Sequence, residues 1–122
     1  MLIEGLYTIV EFHYDEQEVN ATIQLNKDHN IFKGHFPGNP VMPGVCMIQI
    51  IKELTEKATT KKLFLSVSSN IKFMALINPE VNAILKLSIS VSEEGELIKI
   101  KNTSSFEDTV ALKLSATFKQ IG

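Results

Sequence analysis

The most restrictive feature of the sequence is a segment rich in proline and glycine between Gly34 and Gly44. It contains three of the chain's four prolines and three of its six glycines, and His35 lies within it. Each proline fixes its own φ and pushes the preceding residue into extended backbone, which excludes a helix or a central strand. Because residues 27–43 show no sustained helical or strand period, we expect an ordered loop there.

The residues after this loop predict one helix, from Val45 to Lys57. Its apolar side chains cover more than one face, and neither glycine nor proline interrupts it. We therefore expect a helix that is buried on most sides. The apolar set consists of Val45, Met47, Ile48, Ile50, Ile51 and Leu54.

Strand patterns flank the loop and the helix on both sides. Two runs before the loop alternate apolar and polar residues around a turn at residues 15–17, which predicts a hairpin. Four further runs follow the helix, and one of them alternates Leu85, Leu87, Ile89 and Val91. This order predicts an α+β fold with one antiparallel β-sheet wrapped around a long central helix. The strand runs are 6–14, 18–26, 63–76, 81–91, 95–104 and 106–120.

Length and composition limit the possible partners. A chain of 122 residues is too short for a second core, so we expect one domain over 1–122. The net charge of −2 without a basic stripe argues against nucleic-acid binding, and no apolar run reaches the ~20 residues that cross a bilayer. Cys46 is the only cysteine, which excludes an internal disulfide and agrees with a cytoplasmic location. All twelve basic residues are lysine, so ammonium groups, helix N-termini or backbone N–H groups must bind any anionic partner.

The eleven residues from His35 to Val45, HFPGNPVMPGV, resemble the signature of the 3-hydroxyacyl-[acyl-carrier-protein] dehydratases of fatty-acid biosynthesis. That family has the hotdog fold, so the resemblance implies a single hotdog dehydratase-like domain over 1–122. It also implies dehydration of a 3-hydroxyacyl thioester, linked to acyl-carrier protein or to CoA, giving the trans-2-enoyl thioester in fatty-acid or polyene synthesis. Neither a cofactor nor a metal is implied.

The resemblance also implies catalytic roles. His35 matches the family's catalytic histidine, and imidazole suits proton transfer because its ordinary pKa is about 6.5. The backbone N–H groups of Gly44 and Val45 would bind the thioester carbonyl oxygen at the positive end of the helix. Gly44 suits this task because a residue without Cβ lets a substrate approach closely.

The chain departs from the family at the general acid. Family members have a carboxylate fourteen residues after the motif histidine, where this chain has Gln49. An amide cannot act as an acid, and the loss of a general acid typically costs about 10²–10⁴ in rate. Glu53 lies one turn later on the same helix face, so we hypothesise that Glu53, or a water bound to it, serves the substrate hydroxyl. His29 is a second candidate.

Partners follow from the same resemblance. Hotdog dehydratases are dimers or dimer-built oligomers in which the histidine and the helix carboxylate come from different chains. We expect a homodimer or a dimer-based oligomer, with an acyl tunnel between two chains. The predicted tunnel residues are Phe36, Met42, Val45, Ile48 and Phe73, and the lysines predicted to bind an acidic carrier protein are Lys33, Lys61, Lys62 and Lys72.

Three alternative functions remain open. The chain could be a non-catalytic hotdog subunit in a hetero-oligomer with an active dehydratase paralogue, since shared sites let one chain supply what the other lacks. It could be a thioesterase in which a helix carboxylate directs water. It could also be a module that binds acyl thioesters without turnover.

Overall fold

The computed structural model describes residues 5–34 and 41–121, apart from the side chains of residues 33, 34 and 65–69. A β-hairpin comes first, followed by a one-turn helix, a long helix and four strands. In chain order the elements are β1 (Tyr7–Asp15), β2 (Glu18–Leu25), α1 (Ile31–Gly34), α2 (Gly44–Thr59), β3 (Leu63–Phe73), β4 (Ile84–Glu94), β5 (Leu97–Phe106) and β6 (Thr109–Gln120).

The six strands form one antiparallel sheet in the order β1-β2-β4-β5-β6-β3. The β1–β2 turn uses Glu16 and Gln17, both at positive φ, as tight hairpin turns require. Strand β3 crosses to the far side of the sheet and pairs with β6, with Leu63 opposite Gln120 and Phe73 opposite Leu112. Strands β1 and β3 are therefore the two edges of the sheet.

Alternation in the sequence sets which face of each strand is buried. In β4 the residues Leu85, Leu87, Ile89 and Val91 are all buried, while their neighbours face outward or are partly covered. The apolar period thus assigns one face of the sheet to the core.

Strand β5 ends its buried face with two polar residues, Asn102 and Ser104. The Ser104 hydroxyl donates to Asn102 Oδ1 (2.9 Å), and Asn102 Nδ2 donates to the Ser88 carbonyl (3.1 Å). Both side chains are buried, and these bonds offset the cost of removing them from water.

Helix α2 packs its apolar face on β2, β3 and β4. Met47, Ile51 and Leu54 are fully buried in the core that the helix shares with the sheet. At its start, the Pro43 carbonyl accepts hydrogen bonds from the backbone N–H groups of residues 46 and 47. Its end is set by Thr60, which adopts the left-handed conformation and donates its backbone N–H to the Glu56 carbonyl (2.8 Å).

The structure confirms the predicted α+β arrangement, in which one antiparallel sheet packs around one long helix. Two local expectations were wrong. The segment predicted as loop includes the four-residue helix α1, which is too short to show a period in the sequence. Val45, one of the apolar residues expected to be buried, is 74% exposed, although only Val45 and Lys57 are exposed among the residues of α2.

Replacement of a core residue of α2 should cost far more stability than replacement of an exposed isoleucine. Ile51→Ala removes a fully buried side chain and should lower the free energy of unfolding by about 3 kcal/mol through lost burial and a cavity. Ile121→Ala changes a side chain that is 50% exposed and should cost about 0.5 kcal/mol or less. Urea unfolding of both variants at one protein concentration tests this, and equal losses would contradict the packing described.

Candidate functional site

A chain of hydrogen bonds joins the first strand to the face of α2 that the sheet leaves uncovered. The Tyr7 hydroxyl donates to Glu53 Oε1 at 2.8 Å. Gln49 Nε2 donates to the other carboxylate oxygen, Oε2, also at 2.8 Å. Gln49 and Glu53 are four residues apart and so lie one turn apart on one face of the helix. The two residues singled out in the sequence are thus in direct contact.

These three side chains line an open cleft of roughly 620 Å³ along the helix. The rest of its lining is mostly charged and comes from α2 and the segment that connects α2 to β3. These charged lining residues distinguish the cleft from the apolar acyl tunnel expected between two chains. Its other lining residues are Lys52, Glu56, Lys57, Thr60, Lys61 and Lys62.

The carboxylate of Glu56 ties the helix to the next strand. Its Oε2 accepts the backbone N–H of Leu63 (2.9 Å) and lies 3.9 Å from Lys52 Nζ. Nζ of the next residue, Lys57, lies 5.3 Å from the ring centre of Phe12 on β1, a cation–π contact. These contacts anchor the helix to both edge strands and thereby fix the walls of the cleft.

The environment of Tyr7 keeps its hydroxyl protonated. The residue is 8% exposed, and burial raises the pKa of its phenol far above the ordinary value. The hydrogen bond to Glu53 and the negative charges of Glu53 and Glu56 raise this pKa further. Tyr7 therefore acts as a donor throughout the neutral range, and the two carboxyl oxygens of Glu53 each accept a hydrogen bond.

The start of α2 lies against the end of β3. A Cβ added to Gly44 would lie only 2.7 Å from Phe73 Cζ, so the aromatic ring occupies the space that a side chain at position 44 would fill. The ring itself is 57% exposed, and Val45 beside it points largely to solvent. A side chain at position 44 would therefore require the ring of Phe73 to move.

The remaining predicted tunnel residues have separate settings. Met42 is buried, and its backbone N–H donates to the Ile77 carbonyl (2.8 Å). Ile48 is partly buried against the core. His35 and Phe36 lie outside the described residues.

The other candidates from the sequence are placed as follows. The ring of His29 accepts the backbone N–H of Ile31 at Nδ1 (3.1 Å), which caps α1. Lys61 forms an ion pair with Glu93, and the backbone of the adjacent Lys62 continues toward β3. Lys72 is exposed on β3, while the Lys33 side chain lies outside the described part. Cys46 is buried, and burial raises the pKa of its thiol, which favours packing over reactivity.

Tyr7 was missing from the sequence-based site. It precedes Glu53 by 46 residues, and no local period links a residue in the first strand to the middle of a helix. Within residues 5–34 and 41–121, no three His, Cys, Asp or Glu side chains come together as a metal-ligand set. No helix in that same part of the chain is long and apolar enough to span a membrane.

The raised pKa of Tyr7 predicts a specific loss of stability in alkali. The unfolded phenol ionises near pH ~10 whereas the folded one stays protonated, so the free energy of unfolding falls as pH rises above about 10. Tyr7→Phe should remove this component and flatten the alkaline decline, whereas Tyr14→Phe should leave it in place. Urea unfolding of the wild type and both variants at pH values between about 8 and 11 tests this. An identical decline in all three proteins would contradict it.

Solved structures with the same architecture cover nearly the whole chain. The dehydratase heterocomplex ApeI:P from Xenorhabdus doucetiae matches with a TM-score of 0.75 and 21% identity, over 92% of this chain and 96% of that one. A putative thioesterase, yhdA from Lactococcus lactis, matches with a TM-score of 0.71 and 9% identity, over 99% and 96%. At these identities the likeness concerns the fold, and it confirms the predicted hotdog fold.

Sequence relatives are more specific. The 3-hydroxyacyl-[acyl-carrier-protein] dehydratase FabZ of Lactobacillus helveticus is 31% identical over 110 residues, which cover 84% of this chain and 73% of the relative. The FabZ protein of Pediococcus pentosaceus is 32% identical over 123 residues, covering 91% and 77%. Residues 11–113 match the family described as ApeI-like, ApeI dehydratase. This match begins within β1, after Tyr7, and includes the whole of the helix that carries Gln49 and Glu53. The chain belongs to the ApeI-like dehydratase family.

Proposed function

We propose that the chain removes water from a 3-hydroxyacyl thioester, carried by acyl-carrier protein or CoA, and forms the trans-2-enoyl thioester. Dehydration needs a base for the C2 proton, an acid for the departing hydroxyl and donors for the thioester oxygen. The observation that carries the proposal is the hydrogen bond from Gln49 Nε2 to Glu53 Oε2. It brings a carboxylate into contact with the position where the family has its acid.

In this mechanism His35 takes the C2 proton. Negative charge grows on the thioester oxygen, which the backbone N–H groups of Gly44 and Val45 bind at the start of α2. The C3–O bond then breaks, and the leaving hydroxyl receives a proton from Glu53, directly or through a water held beside Gln49. A proton passes from His35 back to Glu53 through solvent before the next turnover.

We further propose that two chains complete the site. Strand β3 is an edge of the six-stranded sheet, and an edge strand is a surface suited to pairing with a second copy. Exposed apolar side chains lie near the start of α2 and the end of β3, where water contact is unfavourable. This supports a homodimer in which Phe36, Met42, Val45, Ile48 and Phe73 line the acyl tunnel.

The carrier and the compartment are part of the same proposal. Lys61 and Lys62 lie on the cleft that contains Gln49 and Glu53, which favours the approach of an acidic carrier from that side. Together with Lys33 and Lys72 they form the proposed carrier surface. A cytoplasmic location agrees with the single cysteine.

A second candidate function is that of a non-catalytic subunit. The amide at Gln49 favours it, and the ApeI:P relative is a dehydratase heterocomplex. In that case a paralogous chain would supply the acid, and mixing the two chains would give a stable hetero-oligomer. A thioesterase reaction would instead release free thiol without forming an alkene.

The proposed base can be tested against a matched histidine. With a 3-hydroxyacyl thioester as substrate, the wild type should produce a rise in enoyl-thioester absorbance. His35→Ala should reduce the rate by about 10²–10⁴, because general-base catalysis contributes that much. His13→Ala, at an exposed position on β1, should leave the rate unchanged. Full activity of His35→Ala would contradict the assigned role.

Exchanges of carboxyl and amide at the helix separate the two candidate functions. If Glu53 supplies the acid, Glu53→Gln should lower the rate by about 10² or more, and Gln49→Glu should give no gain because two carboxylates would meet. Glu56→Gln is the control and should not lower the rate in this way, because Gln Oε1 can still accept the hydrogen bond from the Leu63 N–H. A large gain in Gln49→Glu, with Glu53→Gln unaffected, would instead favour a chain that depends on a partner's acid.

A further inference from the structure

Tyr7 is a buried polar group that the proposed mechanism does not use. It begins β1, at the opposite edge of the sheet from β3, yet its hydroxyl reaches Glu53 on the helix at 2.8 Å. A phenol has one proton to donate, and this one is directed at Oε1. The aromatic body of Tyr7 is part of the core, so the hydroxyl has little freedom to turn elsewhere.

The carboxylate of Glu53 is thus fixed from two sides. Oε1 accepts from Tyr7 on the strand, and Oε2 accepts from Gln49 on the previous turn of the helix. Two hydrogen bonds from different elements fix both the position and the plane of the carboxylate. Such support from outside the reacting groups is what holds an acid in a productive geometry.

We propose that Tyr7 is a positioning residue of the dehydratase site: by occupying Oε1 of Glu53, it leaves Oε2, the oxygen beside Gln49, to gain and release the proton. This inference rests on the proposed function, because it assigns the acid to Glu53. It adds a residue from the first strand to a site that the sequence motif confines to the loop and the helix.

The hydrogen bond from Gln49 Nε2 holds Oε2 at the cleft. A protonated Oε2 keeps a lone pair that can accept from Gln49 Nε2, so its O–H is available to the departing hydroxyl. The departing hydroxyl takes the proton from Oε2 as the C3–O bond breaks and leaves as water.

Other charged groups share the cleft with this pair. Lys52 and Lys57 are on the same helix as Glu53, together with Glu56, and Lys61 and Lys62 precede β3. Several of them have partners of their own: Lys52 lies near Glu56, Lys61 is paired with Glu93, and Lys57 lies over Phe12. The carboxylate of Glu53 itself accepts hydrogen bonds from Tyr7 and Gln49.

The kinetic test compares the chain's two tyrosines. Tyr7→Phe removes only the hydroxyl and should lower kcat about tenfold with little change in KM, because a hydrogen bond to a charged group is lost. The alkaline limb of its pH–kcat profile should move to higher pH, since the ionised carboxylate has lost a donor. Tyr14→Phe, at a position that is 38% exposed on β1, should match the wild type in both respects.

A spectroscopic test does not depend on turnover or on the folding of Tyr7→Phe. In Tyr14→Phe the tyrosinate absorbance reports Tyr7 alone, and it should appear only well above pH ~10. Adding Glu53→Gln removes the negative charge beside the phenol, so the tyrosinate signal should appear at lower pH than in Tyr14→Phe alone.

The outcomes separate the two proposals. Absence of dehydration by the wild type overturns the proposed function, whatever the titration shows. Dehydration by the wild type with unchanged kcat and pH profile in Tyr7→Phe overturns the positioning role alone, as does a tyrosinate titration unaffected by Glu53→Gln. A lower kcat with a shifted alkaline limb, seen only in Tyr7→Phe, supports it.

Discussion

Burial of one face of α2 against the sheet is the interaction on which the other features depend. Met47, Ile51 and Leu54 are fully buried in the core that the helix shares with the sheet, and their packing fixes the rotation of the helix about its axis. This rotation also determines the direction in which the side chains on the opposite face of the helix point. Gln49 and Glu53 therefore face the cleft, and the glycine at the helix start faces the end of β3.

The two edge strands contact the face of the helix that carries Gln49, Glu53 and Glu56. Tyr7 approaches from β1, and Glu56 accepts the first backbone N–H of β3. The helix packs on the edge strand β3 as well as on the inner strands β2 and β4, and Tyr7 and Phe12 of the other edge strand, β1, also contact it. The fold in this way gives a single carboxylate contacts with elements that are far apart in the chain.

Local patterns in the sequence predicted most of the fold. Alternation identified the buried face of β4, and the turn at Glu16 and Gln17 lies where the polar residues between two strand runs predicted it. The family motif supplied the hotdog topology, which alternation alone could not specify. The motif also directed attention to Gln49 and Glu53, which the structure brings into contact.

The parts that sequence reasoning missed depend on long-range contacts or on very short elements. Helix α1 has four residues, fewer than are needed to display a period. The exposure of Val45 depends on how far the sheet extends around the helix, which no residue in the helix encodes. In the sequence, Tyr7 looks like any aromatic residue of a strand. Its contact with Glu53 depends on the curvature of the folded sheet.

The contact between Gly44 and the ring of Phe73 has an evolutionary consequence. Because the ring fills the volume that a methyl group at position 44 would need, a side chain there requires the ring to move or to be replaced. Among related chains, a larger residue at the helix start should be inherited together with a smaller or displaced one at the end of the third strand. Such paired changes would identify relatives in which the packing between the start of α2 and the end of β3 has changed.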